Sequence, residues 1–255
     1  MSPPLTGRIL NGYAVILRDS KRNFRNVKAV SPRPRKASDE AVFLATTRVM
    51  SRLGPSQLTL ADIAAEAGLT AGALVQRFGS KRALLLTLAE RFANSTVEMF
   101  DQLRAADPSG LATVYAYAEC MAQMAESPDA LAHHLAWLQQ DLTDPDFRRY
   151  TLIHARASRR ELQRVVQHGI DEGTLKKDVE PAALARAIEV TIRGSLMSWA
   201  IHQEGKATTW MRHDLEALLA RHVTKAATSR GRGKSWLTGK RVSSTPSRRV
   251  RLRHR

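Results

Sequence analysis

The chain has 255 residues, a formal net charge of +16 at pH 7 and one cysteine, Cys120. A single cysteine excludes a disulfide framework and favours a reducing compartment, and the abundance of Ala, Leu and Arg favours an all-helical protein. The charge lies at the ends, because residues 1–36 carry nine Lys or Arg and one Asp, and residues 226–255 carry ten Lys or Arg and no acid.

Residues 1–36 contain four prolines and no sustained helical period, so we expect a disordered basic arm. The apolar run at residues 9–17 is too short to span a bilayer, and no membrane segment is predicted elsewhere. Residues 226–255 are rich in Ser, Gly and Arg and are predicted to form a second disordered basic tail. Such ends bind polyanions through counterion release, and the alternative is that they only increase solubility.

The first predicted helix covers residues 38–53. Ser38 is a suitable N-cap, and the acidic residues that follow it match the positive end of the helix dipole. Gly54-Pro55 ends the apolar pattern. This helix and the next two are expected to form a compact three-helix unit.

Residues 58–85 contain the most informative pattern of the chain. Thr59 and Asp62 are spaced as a capping box at the start of a short helix. Gly68 is the expected end of that helix, because a residue without a Cβ enters the left-handed conformation at little cost.

A second short helix is predicted at residues 70–78, with Thr70 as its N-cap and Leu74 and Phe78 on its inward side. Two such helices joined by a glycine-containing turn are typical of a helix-turn-helix, whose second helix lies in a DNA major groove. In several folds of this kind a basic arm enters the adjacent minor groove, and residues 1–36 are candidates for that role.

The run from residue 42 to residue 85 resembles the DNA-binding domain of TetR/AcrR-type bacterial transcriptional regulators. The matching positions are Gly54, residues 58–64, residues 67–70, Gly72, Leu74, Phe78, residues 80–81 and residues 84–85. The resemblance implies an all-α fold with a helix-turn-helix domain at residues 37–82 and a helical effector-binding and dimerisation domain at residues 83–225. It does not extend to the basic ends.

Four positions depart from the family pattern. The family usually carries Tyr at Val75 and often a basic residue at Ala71, whereas Ala73 replaces a common Thr or Ser and Arg77 a common His. The Tyr typically touches a phosphate, so Val75 removes a contact that fixes the register on DNA. In the major groove Gln can bond to adenine and Arg can bond to guanine. The alternative is that Gln76 and Arg77 are ordinary solvated residues. The predicted DNA-binding residues are Thr59, Thr70, Ala71, Gly72, Ala73, Val75, Gln76, Arg77 and Lys81.

The rest of the body is predicted to be helical. The helical period runs without interruption from residue 80 to a break at residues 107–110, which predicts one long helix joining the two domains. Ser127-Pro128 and Asp144-Pro145 are each a capping residue followed by proline, a pattern that starts a helix. The remaining helices are expected at residues 111–125, 128–142, 145–173, 181–204 and 207–223, which makes nine in all.

The helix near residues 181–204 carries two apolar stripes, one along Leu184, Ile188 and Trp199 and the other along Val190, Gly194, Met197 and Ile201. A helix that is apolar on both sides is buried on both sides. In the resembled family the last two long helices form a dimer interface, which implies a homodimer through the helices near 181–204 and 207–223. The alternative is an interior helix of a monomer.

No spacing of His, Cys or carboxylates in the helical body suits a metal or a catalytic site, so no enzyme activity, cofactor or metal is predicted. A binding cavity for an unknown small-molecule effector is expected instead, and a filled core is the alternative. The predicted effector-binding residues are Tyr117, Met121, Met124, His134, Trp137, His154 and Trp199.

These observations predict a cytoplasmic, nucleoid-associated regulator that binds double-stranded DNA as a homodimer and responds to a ligand, in the manner of a repressor. The alternative is a basic nucleic-acid-associating protein that reads sequence weakly and binds through its tails. A third possibility is a helical small-molecule-binding or enzymatic domain with no DNA role.

Overall fold

The computed structural model describes residues 37–123, 125–225 and 227. Its helices are α1 (Asp39–Arg52), α2 (Leu60–Ala67), α3 (Ala71–Phe78), α4 (Lys81–Asn94), α5 (Thr96–Ala106), α6 (Gly110–Ala122), α7 (Pro128–Thr143), α8 (Pro145–Asp171), α9 (Pro181–His202) and α10 (Ala207–Leu219). The only β-type pairing within these residues is an isolated antiparallel bridge between Leu175 and Val223. The predicted all-α fold is therefore confirmed.

Two hydrophobic cores divide the molecule into a head, formed by α1–α4, and a body, formed by α5–α10. The head core contains Leu74 of α3 and also takes Trp137 from α7 and Phe147 from α8. The body core is larger and gathers apolar side chains from α5, α6, α8, α9 and α10. Trp137 and Phe147 belong to helices of the body but pack in the head core, and they hold the head in position on the body.

The structure corrects the prediction of one long helix between the domains. The chain forms two helices there, α4 and α5, separated at Ser95. The Ser95 hydroxyl donates to Phe92 O at 3.1 Å, and the Thr96 hydroxyl donates to Ala93 O at 3.2 Å. Hydroxyls that bond to carbonyls of the preceding turn compete with the helical hydrogen bonds and bend helices. The spacing of the apolar residues does not reveal the break, because the same spacing continues across it.

Two helices near the C-terminus end earlier than predicted. Gln203 takes a left-handed conformation with φ 55° and ends α9 at His202, before the predicted end at residue 204. α10 ends at Leu219 because the following residues pair with another segment: Lys176 N donates to His222 O at 2.9 Å. These differences move the helix ends and leave the order of elements unchanged.

No helix among the described residues is both long enough and apolar enough to cross a membrane. The basic arm at residues 1–36, most of the basic tail and the candidate effector residue Met124 lie outside the described residues.

Candidate functional site

The α2–turn–α3 unit is fixed by local hydrogen bonds. Thr59 and Asp62 form the predicted capping box: Asp62 N donates to Thr59 Oγ1 at 3.2 Å, and Thr59 N donates to Asp62 Oδ2 at 2.9 Å. The hydrogen bonds from Thr59 lower the pKa of the Asp62 carboxyl, so it is a carboxylate at neutral pH. Gly68 ends α2 in the left-handed conformation, with φ 66°.

α3 is held against the head by one side and leaves the other side uncovered. Thr70 caps the helix by accepting a hydrogen bond from Ala73 N at 3.1 Å. Leu74 is fully buried, and the half-buried Phe78 ring lies 5.9 Å from the Phe43 ring of α1. The opposite side of the helix, which contains Val75, Gln76 and Arg77, is exposed among the described residues. A helix of this kind can enter a DNA major groove.

The predicted DNA-binding residues fall into two groups. Thr59, Thr70, Gly72, Val75, Gln76 and Arg77 are exposed, whereas Ala71, Ala73 and Lys81 are half-buried. A Cβ built on Gly72 would meet only Thr70 Oγ1, at 4.0 Å, so packing within the described chain does not require a glycine there. Glycine lowers helix stability by about 1 kcal/mol relative to alanine. A reason for glycine at this position is therefore the close approach of another molecule.

The cations nearest to α3 are already engaged within the chain. Arg77 donates to Ala37 O at 2.5 Å and forms an ion pair with Asp39, next to the N-terminus of α1. Lys81 Nζ donates to Leu58 O at 2.8 Å and lies 3.4 Å from Pro55 O. Both residues were predicted to face DNA, and in this conformation both connect parts of the head.

The other cations of residues 37–82 are engaged as well. Arg48 and Arg52 pair with Glu66 at 3.4 and 2.7 Å. Arg82 pairs with Asp144 at 3.0 Å and with Asp146 at 2.7 Å. Every Lys and Arg of residues 37–82 therefore bonds to a carboxylate or a carbonyl within the described chain.

α7 attaches the body to the C-terminal end of α1. Trp137 is only 6% exposed, and its Nε1 donates to Leu53 O at 3.1 Å and to Met50 O at 3.3 Å. His133 Nδ1 donates to Ser51 O at 3.2 Å. The last carbonyls of a helix have no partner within it, so these side chains satisfy them.

α8 attaches the body to the other side of the head. Asp144, the N-cap of α8, and Asp146 in its first turn hold Arg82 of α4, and the Arg82 guanidinium lies 5.7 Å from the centre of the Phe147 ring. Beside this pair, a cleft of about 530 Å³ opens between head and body. It is lined by Pro55, Lys81, Arg82, Leu85, Gln140, Thr143, Asp144 and Pro145. Sequence reasoning missed these contacts because they join residues that are distant along the chain.

The predicted effector-binding residues do not converge on one place. Trp137 belongs to the head core, whereas Tyr117 and Trp199 belong to the body core. The Tyr117 ring stacks on Phe100 at 4.9 Å, and Trp199 Nε1 donates to Gly205 O at 3.2 Å. In this conformation these side chains fill the interior, as the filled-core alternative states.

The polar members of the predicted effector set, His134 and His154, lie on α7 and α8. His154 Nδ1 forms a 2.8 Å hydrogen bond with Thr96 Oγ1, directly after the break between α4 and α5. Burial lowers the pKa of His154. Burial and, to a smaller extent, the neighbouring His133 lower the pKa of His134. Both imidazoles are therefore neutral at pH 7. Met121 is half-buried at the edge of the body core. The described residues contain no group of three or more His, Cys, Asp or Glu placed to hold a metal.

α9 separates its two apolar stripes in the predicted way. Leu184, Ile188 and Trp199 are buried in the body, whereas Val190 is 62% exposed and Ile201 is 73% exposed. The uncovered stripe is longer than predicted. It follows the alternating four- and three-residue spacing of a coiled-coil seam, along Ala183, Ala187, Val190, Gly194, Met197 and Ile201.

Comparison with known families agrees with this architecture. Residues 43–88 match the family described as bacterial regulatory proteins, tetR family, and residues 136–215 match the tetracyclin repressor-like C-terminal domain. The chain belongs to the TetR family. Since TetR-family proteins are transcription regulators, this chain is a DNA-binding regulator and not an enzyme.

Solved structures of transcription regulators share the fold at low sequence identity. A TetR transcription regulator from Haloarcula marismortui has a TM-score of 0.60 and 21% identity, with 73% of this chain and 98% of that chain covered. The complex of triclosan with SmeT, the repressor of the Stenotrophomonas maltophilia multidrug efflux pump SmeDEF, has a TM-score of 0.59 and 19% identity, with coverage of 75% and 94%. Bacillus subtilis FadR in complex with stearoyl-CoA has a TM-score of 0.54 and 17% identity, with coverage of 71% and 97%. No curated protein sequence matched the chain.

Proposed function

We propose that this TetR-family protein is a homodimeric, ligand-responsive repressor that inserts α3 of each subunit into the major groove of an operator. The observation that carries the proposal is the packing of α3, whose Leu74 is buried in the head while Val75 and Gln76 stay uncovered. A dimer would present two such helices to half-sites about one helical turn apart.

The uncovered stripe of α9 supports the homodimer. Val190, Met197 and Ile201 are large apolar side chains, and an exposed apolar stripe at coiled-coil spacing is typical of a helix that packs on a partner helix. Gly194 lies in the middle of the stripe, and a Cβ built on it would meet nothing within 4 Å. The described chain therefore gives no packing reason for this glycine, whereas a second α9 crossing at Gly194 would.

The other helices refine the expected interface. Met211, Leu215 and Leu219 of α10 are buried within the body, whereas Trp210 and Leu218 are half-buried, so α10 can add these two side chains beside its polar side. α8 lies beside α9, joined to it by an ion pair between Arg159 and Glu189 at 2.8 Å, and exposes Leu152 two turns from Arg159. We therefore centre the dimer contact on α9, with α8 and α10 beside it.

The mass of the full-length protein in solution tests the dimer. Wild type is expected to be dimeric at micromolar concentration by sedimentation equilibrium. Val190→Glu is expected to be monomeric, because it would bury an unpaired carboxylate in the contact. Val97→Glu is the matched control, since Val97 is 43% exposed on α5 and lies outside the stripe. A Val190→Glu variant that stays dimeric would contradict this interface.

The charged residues of the head indicate which part of the protein would bind the phosphates of DNA. The cations of residues 37–82 are engaged within the chain, whereas the preceding residues 28–36 contain Lys28, Arg33, Arg35 and Lys36. Arg77 bonds to Ala37 O, so the first described residue lies next to the C-terminal end of α3. We expect the arm to supply phosphate contacts that α3 does not.

This expectation also keeps the second candidate function open, a nucleic-acid-associating protein that binds mainly through its basic ends. A full-length Arg33→Gln, Arg35→Gln, Lys36→Gln variant separates the two. A repressor with an assisting arm is expected to keep its sequence preference while the slope of log K against log salt falls by about 0.9 for each lost phosphate contact. Loss of the sequence preference together with the affinity would favour the second candidate.

An effector would act by favouring a body conformation in which the two heads are wrongly spaced for the operator. SmeT and FadR are solved with triclosan and with stearoyl-CoA, whose acyl chain is apolar and whose CoA head is charged, which supports a molecule with a large apolar part as the class of effector. The body region around Tyr117, Met121 and His154 is the proposed place for it, with Trp137 outside it because Trp137 belongs to the head core.

DNase footprinting on the promoter region next to the gene tests the regulator function as a whole. The expected result is a protected, roughly symmetric site that is released by a ligand co-purified with the protein and identified by native mass spectrometry. No protection at moderate salt would overturn the proposal. Ligand binding without any DNA binding would favour the third possibility, a helical small-molecule-binding domain.

A further inference from the structure

The exposed side of α3 that is free to meet DNA carries no available charge. Arg77, the only charged residue of α3, is bonded to Ala37 O and paired with Asp39. The remaining exposed residues of the helix are Gly72, Val75 and Gln76, which lie three and four positions apart and therefore share one face. Base reading by α3 in this conformation depends on an apolar side chain and an amide.

Val75 is the unusual member of this face. It is 47% exposed, and a β-branched residue is a poor choice for an exposed helix position because its rotamers are restricted there. It belongs to neither hydrophobic core of the described chain. A valine has neither donor nor acceptor, so it cannot make the phosphate contact expected of the family's Tyr at this position, and the partner that would bury it is another apolar group.

The major groove offers one apolar group, the C5-methyl of thymine. Gln76 follows directly and is exposed, and a glutamine amide bonds adenine N6 and N7 bidentately. Gly72, one turn before, leaves room for the DNA to approach because it has no Cβ and nothing else fills that space.

Building on the proposed repressor function, we propose that Val75 packs against the methyl group of a thymine and that Gln76 bonds the adenine of a neighbouring base pair. The half-site read by α3 then contains two adjacent A·T pairs, and the preference comes from shape and hydrogen bonding without an arginine–guanine contact.

The test begins with selection of bound duplexes from a random-sequence pool by the full-length protein. Each thymine of one half-site is then replaced by deoxyuridine, which removes only the methyl group. One such replacement is expected to lower wild-type affinity about fourfold, the effect of burying one methyl group. The same replacement is expected to have no effect on Val75→Ala, because the methyl then has no partner.

Two further variants complete the design. Val97→Ala, at an exposed valine on α5, is the matched control and is expected to keep the wild-type response to deoxyuridine. Gln76→Ala is expected to relax the preference for A·T at the neighbouring pair and to keep the response to deoxyuridine.

The outcomes distinguish this inference from the function on which it rests. Enrichment of a specific site with no methyl effect, or with the same methyl effect in Val75→Ala, would overturn the assignment and leave the repressor function standing. Failure to enrich any sequence would overturn both.

Discussion

Replacing Trp137 by phenylalanine tests how the head is held on the body. The substitution removes the indole N–H that donates to Leu53 O and Met50 O. These carbonyls at the end of α1 have no partner within the helix. Leaving buried polar groups unsatisfied costs about 1–3 kcal/mol. The smaller ring also leaves part of a site unfilled in the head core, which adds about 1 kcal/mol. Because Met50 and Leu53 are half-buried, water can replace part of the loss, and the expected total is roughly 2–3 kcal/mol.

The assay is thermal unfolding at a fixed protein concentration, since dimerisation makes the midpoint depend on concentration. The expected loss corresponds to a fall in Tm of roughly 4–12 °C for a chain of this size. Trp210→Phe is the matched control: its Nε1 donates to Glu204 O at 2.7 Å, but the side chain is only half-buried on α10. If Trp137→Phe unfolds at the same temperature as Trp210→Phe, the reasoning that α7 stabilises the end of α1 is refuted.

Three further changes are predicted to alter stability in ways that unfolding in urea can measure. Gly110→Ala should destabilise by about 1–3 kcal/mol, because the added Cβ would lie 2.6 Å from the backbone oxygen of Val165. Gly68→Ala should destabilise by roughly 1–2 kcal/mol, because φ is 66° and the cost is conformational. Burial raises the pKa of Asp141 to about 6, above its ordinary value of 3.8 in the unfolded chain, so stability should fall as pH rises from 4 to 6. Asp141→Asn should therefore be more stable than wild type at pH 7.5 and equal to it at pH 4.

Each of these predictions has a control in the same chain. Gly54→Ala adds a Cβ that meets nothing within 4 Å at a position without positive φ, so it should be neutral or slightly stabilising. A Gly68→Ala variant as stable as Gly54→Ala would contradict the conformational argument. Asp178→Asn makes the same substitution at an exposed position and is the matched control for Asp141→Asn. If Asp141→Asn gains no stability between pH 4 and pH 7.5, burial of the Asp141 carboxylate is not unfavourable.

Helix starts were predictable because they depend on local chemistry. The side chains of Ser38, Thr70, Ser80, Ser127 and Asp144 each accept the backbone hydrogen bond expected of an N-cap. Capping involves residues two or three apart, so the sequence contains all the necessary information. For the same reason the helix-turn-helix could be placed with its inward residue Leu74 and its uncovered side.

Contacts between distant residues were not predictable. The apolar period gives Trp137 and Trp199 the same appearance, yet one lies in the head core and the other in the body core. Arg77 occupies an outward position of α3, and only the structure shows that it bonds to Ala37, 40 residues earlier. Periodicity determines which side of a helix is buried, but it does not determine which partner covers that side.

The break at Ser95 changes how movement in the body can reach the DNA. A single straight helix would carry a tilt along its whole length, whereas a helix broken at Ser95 carries only part of it, because bending at the break absorbs the rest. Motion must then pass sideways through the Trp137 contact with α1 and the Arg82 contact with α8. Two attachment points on a rigid object leave rotation about the line between them as its easiest movement. Such a swing would alter the separation of paired reading helices while leaving each one folded.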